Sequence, residues 1–142
     1  MLNDSSEAKD LGVIISHDLK SHNHIEYIVK KASRVSNLIL RSFSSRRTDI
    51  LLKAFLVYAR PLLEYATPAW NPYLLGDIRK IEKVQRRFTK RIVKDKNMSY
   101  ENRLHLLNIE SLELRRLYFD LSLAFSIIMK DSLPFEDFFQ LQ

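Results

Sequence analysis

Apolar residues recur at steps of three and four along most of this chain, and that spacing predicts helices. Ile25, Ile28, Ala32, Val35 and Leu38, with Ile39 beside it, mark an amphipathic helix over residues 24–41. Lys30, Lys31, Arg34 and Arg41 occupy its other sides. A Ser/Arg-rich turn follows at 43–47. Thr48 is a good N-cap, and Asp49 suits the positive end of the next helix. Residues 50–58 are apolar on nearly every side, which predicts a central buried helix.

Pro61 lacks a backbone donor and its ring crowds the preceding turn, so a kink or break is expected near 57–60. One more helical stretch is expected at 62–66. Pro68 and Pro72 then stop it, with Trp70 between them. Pro61, Trp70 and Pro72 together read as a rigid elbow.

The most legible helix is predicted over 77–94. At about 100° per residue, Ile81, Val84, Gln85, Phe88 and Ile92 fall on one side. Lys80, Lys83, Arg86, Arg87, Lys90, Arg91 and Lys94 fall on another, with stripe centres about 140° apart. Ser99 resembles an N-cap for a short helix over 100–107, and Ser111 opens the last one. Leu114, Leu117, Tyr118, Leu121, Ala124, Phe125 and Ile128 keep helical spacing there. Pro134 is expected to end it, leaving an aromatic tail at 134–142 that reads as cut short.

The N-terminal residues 1–8 are polar and expected to be loose. Residues 9–16 are short and β-branched, hence a strand. No partner strand is evident. A lone strand leaves its backbone groups without a ladder, so either it pairs with a strand outside the chain or it packs as an extended arm. The fold class is therefore mainly α: a bundle of about five helices, spanning 22–133, with a short N-terminal β-strand. Two glycines in 142 residues agree, because few tight turns can be built.

Composition narrows function. Apolar residues make 46% of the chain and charged ones 28%, the balance of a folded soluble domain. No cysteine is present, which excludes disulfides and thiol chemistry. The longest apolar stretch, 50–66, is broken by Lys53, Arg60, Pro61 and Glu64, so no membrane span is expected. The first residues show no signal-peptide pattern, and an intracellular site, nuclear or cytoplasmic, is left open. The net charge of +6 is uneven. Residues 75–98 hold nine basic and three acidic groups, while 99–142 hold four and seven. A basic segment within a folded domain points to a polyanion partner.

Catalytic groups are wanting. His22 and His24 stand two apart, His17 and His105 elsewhere, and none has metal-ligand spacing. Glu136 and Asp137 sit on the tail with nothing to fix them. No Gly-rich phosphate loop or nucleophile elbow occurs. Tyr65, Trp70 and Tyr73 suit either base stacking or anchoring of the elbow, and core anchoring is the commoner use. The cations from Lys80 to Lys94 suit a phosphate backbone.

Several motifs in order carry a resemblance. Arg60-Pro61-Leu62-Leu63-Glu64-Tyr65-Ala66 is followed by Trp70-Asn71-Pro72-Tyr73 and then by Ile81-Glu82-Lys83-Val84-Gln85-Arg86-Arg87-Phe88-Thr89-Lys90-Arg91-Ile92. This order resembles the region after the palm in reverse transcriptases of non-LTR, jockey-like LINE retrotransposons. Tyr100-Glu101-Asn102-Arg103-Leu104 and Ser111-Leu112-Glu113-Leu114-Arg115-Arg116-Leu117 are similar to its following segments. Lys9-Asp10-Leu11-Gly12-Val13 resembles the palm's last strand, where such enzymes grip the primer, which makes Leu11, Gly12 and Val13 primer-grip-like.

The resemblance implies a helical thumb that holds an RNA–DNA or DNA duplex without sequence preference, docked on a palm and fingers that this chain lacks. It implies Mg²⁺ in the parent RNA-directed DNA polymerase, but no cofactor, catalytic residue or small-molecule substrate here. The family's paired aspartates are missing, so the chain alone is not expected to be an enzyme. Two other readings stand beside it: a protein–protein interaction module, and a transposon relic without function.

Overall fold

A computed structural model of the protein describes residues 7–17 and 20–129. It is mainly α. Helix α1 is His22–Ser42 and α2 is Thr48–Ala54, which runs through a π-helical segment, Phe55–Ala59, into α3, Arg60–Glu64. A single turn, α4 (Thr67–Trp70), precedes α5 (Leu75–Ile92), α6 (Tyr100–Leu107) and α7 (Leu112–Met129). The expected tail and Pro134 lie outside the described residues, as do 1–6.

The N-terminal strand departs from expectation. Residues 9–16 are not one strand awaiting an outside partner. Strands β1 (Glu7–Asp10) and β2 (Val13–Ser16) pair with each other, antiparallel, with Asp10 opposite Val13. The two residues between them, Leu11 and Gly12, both have positive φ, 45° and 87°. That is the backbone of a two-residue hairpin turn whose twist matches its strands. Leu11 and Gly12 are thus a turn rather than a primer-grip-like strand, and only Val13 begins β2. The hairpin also takes Glu7 and Ala8 out of the stretch expected to be loose.

The core gathers Ile25, Ile28, Ala32, Ile39 and Leu40 of α1 against Leu51, Phe55, Ala59 and Leu63, with Ile81, Val84, Phe88 and Ile92 of α5 closing it. Phe55 and Phe88 stack with ring centroids 4.4 Å apart. Burying each such ring contributes about 1.5–3 kcal/mol, so this pair is a main clamp between α5 and the rest. The helix from Thr48 was expected to be buried on nearly every side. It is buried on one: Val57 and Tyr58 remain 55% and 63% exposed.

The break expected before Pro61 takes the form of the π-helical segment. The Arg60 amide bonds to the Phe55 carbonyl, one residue further back than in an α-helix. The widened turn relieves the clash between the proline ring and the carbonyls behind it. The elbow after it is fixed by hydrogen bonds. Trp70 is buried, and its Nε1 donates to the Tyr65 carbonyl at 2.7 Å. Pro72 is buried too, whereas Tyr65 and Tyr73 are exposed.

Ser99 caps α6 as expected, its Oγ accepting from the Asn102 amide at 3.2 Å. Ser111 does the same for α7 through the Leu114 amide. The apolar stripe of α7 is not packed, however. Leu112 and Arg116 are its buried residues, while Leu117, Tyr118, Leu121, Phe125 and Ile128 are roughly half exposed or more.

Candidate nucleic-acid interface

Helices α1 and α5 lie side by side and run the same way. His22 Nδ1 meets Asp77 Oδ1 at 2.8 Å, Lys80 Nζ meets Glu26 Oε1 at 3.2 Å, and Arg91 Nη1 meets Asn37 Oδ1 at 3.5 Å. The sequence separations of these pairs are 55, 54 and 54, so the register holds along the whole interface. His22 and His24 point differently despite their closeness. His24 is buried and accepts from the Ile14 amide at 3.2 Å.

Both ends of α5 are tied down. Its first turn holds the buried Asp77 between His22 and Lys80. At its C-terminus, Lys96 Nζ donates to the Lys90 and Val93 carbonyls, each at 2.9 Å, and Thr48 Oγ1 donates to the Ile92 carbonyl at 3.0 Å. These bonds satisfy the carbonyls that a helix end leaves free. A fixed helix presents its cations in a fixed line, which lowers the entropy lost on binding a rigid partner.

The seven cations expected to form one basic face divide into groups. Lys80 is half-buried and turned to Glu26 and Asp77. Its hydrogen bond to Glu26, reinforced by the nearby Lys30, holds the Glu26 carboxyl below the usual carboxylate range. Arg86 faces the opposite flank, 4.6 Å above the Tyr100 ring. Lys94 follows the end of α5, in a hollow that also contains Asp49 and Asp95. Lys83, Arg87, Lys90 and Arg91 are exposed, and none has a carboxylate partner among the described residues.

Arg87, Lys90 and Arg91 converge on a groove of about 370 Å³ between α1 and α5. Its α1 wall includes Ser33 and Asn37, neutral residues that the charge pattern does not mark. Residues 26, 30, 33 and 37 share a stripe of α1 by their spacing, which is the sequence signal for this wall.

On the far flank of α5, polar groups are structural. Gln85 Nε2 donates to the Tyr100 hydroxyl at 3.1 Å and to the Glu110 carbonyl at 2.9 Å. Arg103 is buried, donating through Nη1 to the Met98 carbonyl and through Nε to Thr89 Oγ1. A cavity of about 930 Å³ nearby mixes Arg60, Arg86 and Arg115 with Glu82, Glu101, Glu110 and Glu113. Its mixed signs give it no field for a polyanion.

An uncharacterised protein of Caenorhabditis elegans is 27% identical to this chain over 115 residues, 79% of the chain. The chain spans 58% of that protein's length. No protein-family model matches the chain. No solved structure matches it.

Proposed function

We propose that this chain is a thumb-like piece of a retrotransposon RNA-directed DNA polymerase that grips the sugar–phosphate backbone of a primer–template duplex through α5. The observation that carries this reading is the set of cations Lys83, Arg87, Lys90 and Arg91, without a carboxylate partner among the described residues, on one exposed side of a helix fixed at both ends. Residues four apart on a helix rise about 6 Å, and phosphates follow one another every ~3.4 Å of axis along one duplex strand. A helix laid along a strand therefore brings a cation to about every second phosphate. Contacts of this kind set register and affinity and carry no base preference.

The order of motifs that resembles the post-palm region of LINE reverse transcriptases supports the choice of a duplex over other polyanions. Polymer synthesis itself is assigned to a palm outside this chain, with its own Mg²⁺. Reversing Lys83, Arg87 and Lys90 to Glu tests the reading. Binding to an RNA–DNA hybrid should fall by at least a hundredfold while the helical circular-dichroism signal stays unchanged. Undiminished binding by the folded variant would contradict it.

One observation favours a second reading, a protein–protein module. The outer side of α7 from Leu117 to Met129 exposes Leu117, Tyr118, Leu121, Phe125 and Ile128. Exposed apolar runs of that kind mark interaction surfaces. If Leu121→Glu and Phe125→Glu leave duplex binding intact but shift the protein from a larger assembly to a monomer in sedimentation, α7 serves a protein contact.

A further inference from the structure

Charge alone explains a loose attraction to phosphates. The α1/α5 groove adds hydrogen-bond donors at a defined place. We propose that this groove seats the phosphodiester backbone of one nucleic-acid strand, with Arg87, Lys90 and Arg91 supplying charge and Ser33 and Asn37 supplying directed hydrogen bonds to phosphate oxygens. The proposal rests on the duplex-binding reading above and says where on the domain, and by which side chains of the neighbouring helix, the strand is held.

The groove's lining sets it apart. Three other concavities each include carboxylates: Glu82 and Glu113 in one, Asp49 and Asp95 in the next, Glu113 and Asp120 in the last. Among the described residues, the α1/α5 groove has none. A seat for a dianionic or repeating monoanionic partner needs that exclusion, because a single carboxylate at contact distance would cancel one of its cations.

Its donors are available. Arginine has only donors, so its contact at 3.5 Å has Asn37 Oδ1 turned toward Arg91. The Asn37 Nδ2 hydrogens are left without a partner among the described residues. Ser33 is half-buried at the wall, and its hydroxyl also has no partner there. Ser36, by contrast, donates back to the Ala32 carbonyl at 2.8 Å and is spent. Val84 and Phe88 are buried at the base of the groove. That apolar base excludes water behind the donors and strengthens each charge-assisted bond made in front of them.

The test titrates an RNA–DNA hybrid duplex against wild type, Asn37→Asp, Asn37→Ala and Lys31→Gln, following the Asn37 side-chain amide by NMR in the wild type. Lys31 is exposed on α1 outside the groove, and its replacement changes net charge as much as Asn37→Asp does. Asn37→Asp should weaken binding about tenfold and reduce the salt slope by about one. Asn37→Ala, which removes the donor without adding charge, should lose about threefold, and Lys31→Gln should stay within about twofold. The Asn37 amide signal should move on duplex addition. If both Asn37 variants bind like Lys31→Gln and the amide signal stays put, the groove is not the seat. Loss of binding in the Lys83, Arg87 and Lys90 reversal would then leave the α5 reading standing. If that reversal also binds normally, both readings fall.

Discussion

The carboxylate of Glu82 caps the helix that begins at Leu112: Glu82 Oε1 accepts from the Leu112 amide at 3.2 Å. Its Oε2 takes the Glu113 amide at 3.1 Å, and the Tyr100 hydroxyl donates to Oε1 as well. A buried anion thus sits on the positive end of α7 with three donors around it. Burial first, and the Glu82 contact second, push the Tyr100 hydroxyl far above its usual pKa. Glu82→Gln keeps the shape but turns one acceptor into a donor that faces donors. It should cost about 1–3 kcal/mol in urea unfolding, since charge-assisted bonds are lost and a buried donor is left over. An unchanged midpoint would show that the cap is not structural.

Glu82 also shows where the sequence is mute. Along the chain it stands among seven cations and reads as one of two acids in a solvated basic face. Periodicity reports where apolar residues lie. It cannot report that a charged residue turns inward to meet amides 30 residues away. The same holds for Asp77, Arg103 and Arg116, all buried. The helices themselves were legible, because Ile81, Val84, Phe88 and Ile92 repeat at helical spacing and Ser99 and Ser111 announce their helices. The hairpin was not, because its turn uses Leu11 where such turns favour Asn or Gly. The helical spacing of the α7 stripe was legible and its exposure was not, because spacing shows which residues share a face, not whether anything covers it. Of the candidate site, the cations were legible, and their division between Glu26, Tyr100 and the groove was not.

His24 makes stability depend on pH. It is buried, and burial, with a smaller push from Lys9, lowers its pKa below the ordinary 6.5. The folded state then binds fewer protons than the unfolded chain once the pH drops below about 6.5. Its contribution is complete above that value and declines as the pH falls toward the folded-state pKa. Wild type should lose more stability than His24→Gln between pH 7.5 and 5.5 in urea unfolding. Parallel losses would show that the ring is not held neutral.

The hairpin turn stores backbone strain at Leu11 and demands glycine at Gly12. An added Cβ on Gly12 would sit 3.4 Å from Tyr65 Cε1 at a φ of +87°. Gly12→Ala should destabilise the hairpin by about 1–2 kcal/mol. Hydrogen exchange of the paired β1–β2 amides, quickened about tenfold or more, is the readout. Leu11→Asn should do the reverse, by a few tenths of a kcal/mol, because Asn tolerates positive φ. Equal protection in all three proteins would contradict the turn.

Tyr65 ties that hairpin to the elbow, donating from its hydroxyl to the Leu11 carbonyl at 3.0 Å. The contact is exposed, so Tyr65→Phe should cost no more than about 0.5–1 kcal/mol globally. Its effect should concentrate in the hairpin amides, seen again by hydrogen exchange. A loss spread evenly over α1 and α5 would mean that the hairpin and bundle unfold as one unit.

The salt dependence of duplex binding tests the central claim most directly. The four exposed cations of α5, Lys83, Arg87, Lys90 and Arg91, predict that log K for a hybrid duplex falls with log salt at a slope of about −3 to −4, independent of base sequence. Binding should persist in the absence of Mg²⁺, because no step of it needs a metal. A slope near zero, or no binding at low salt, would contradict the account.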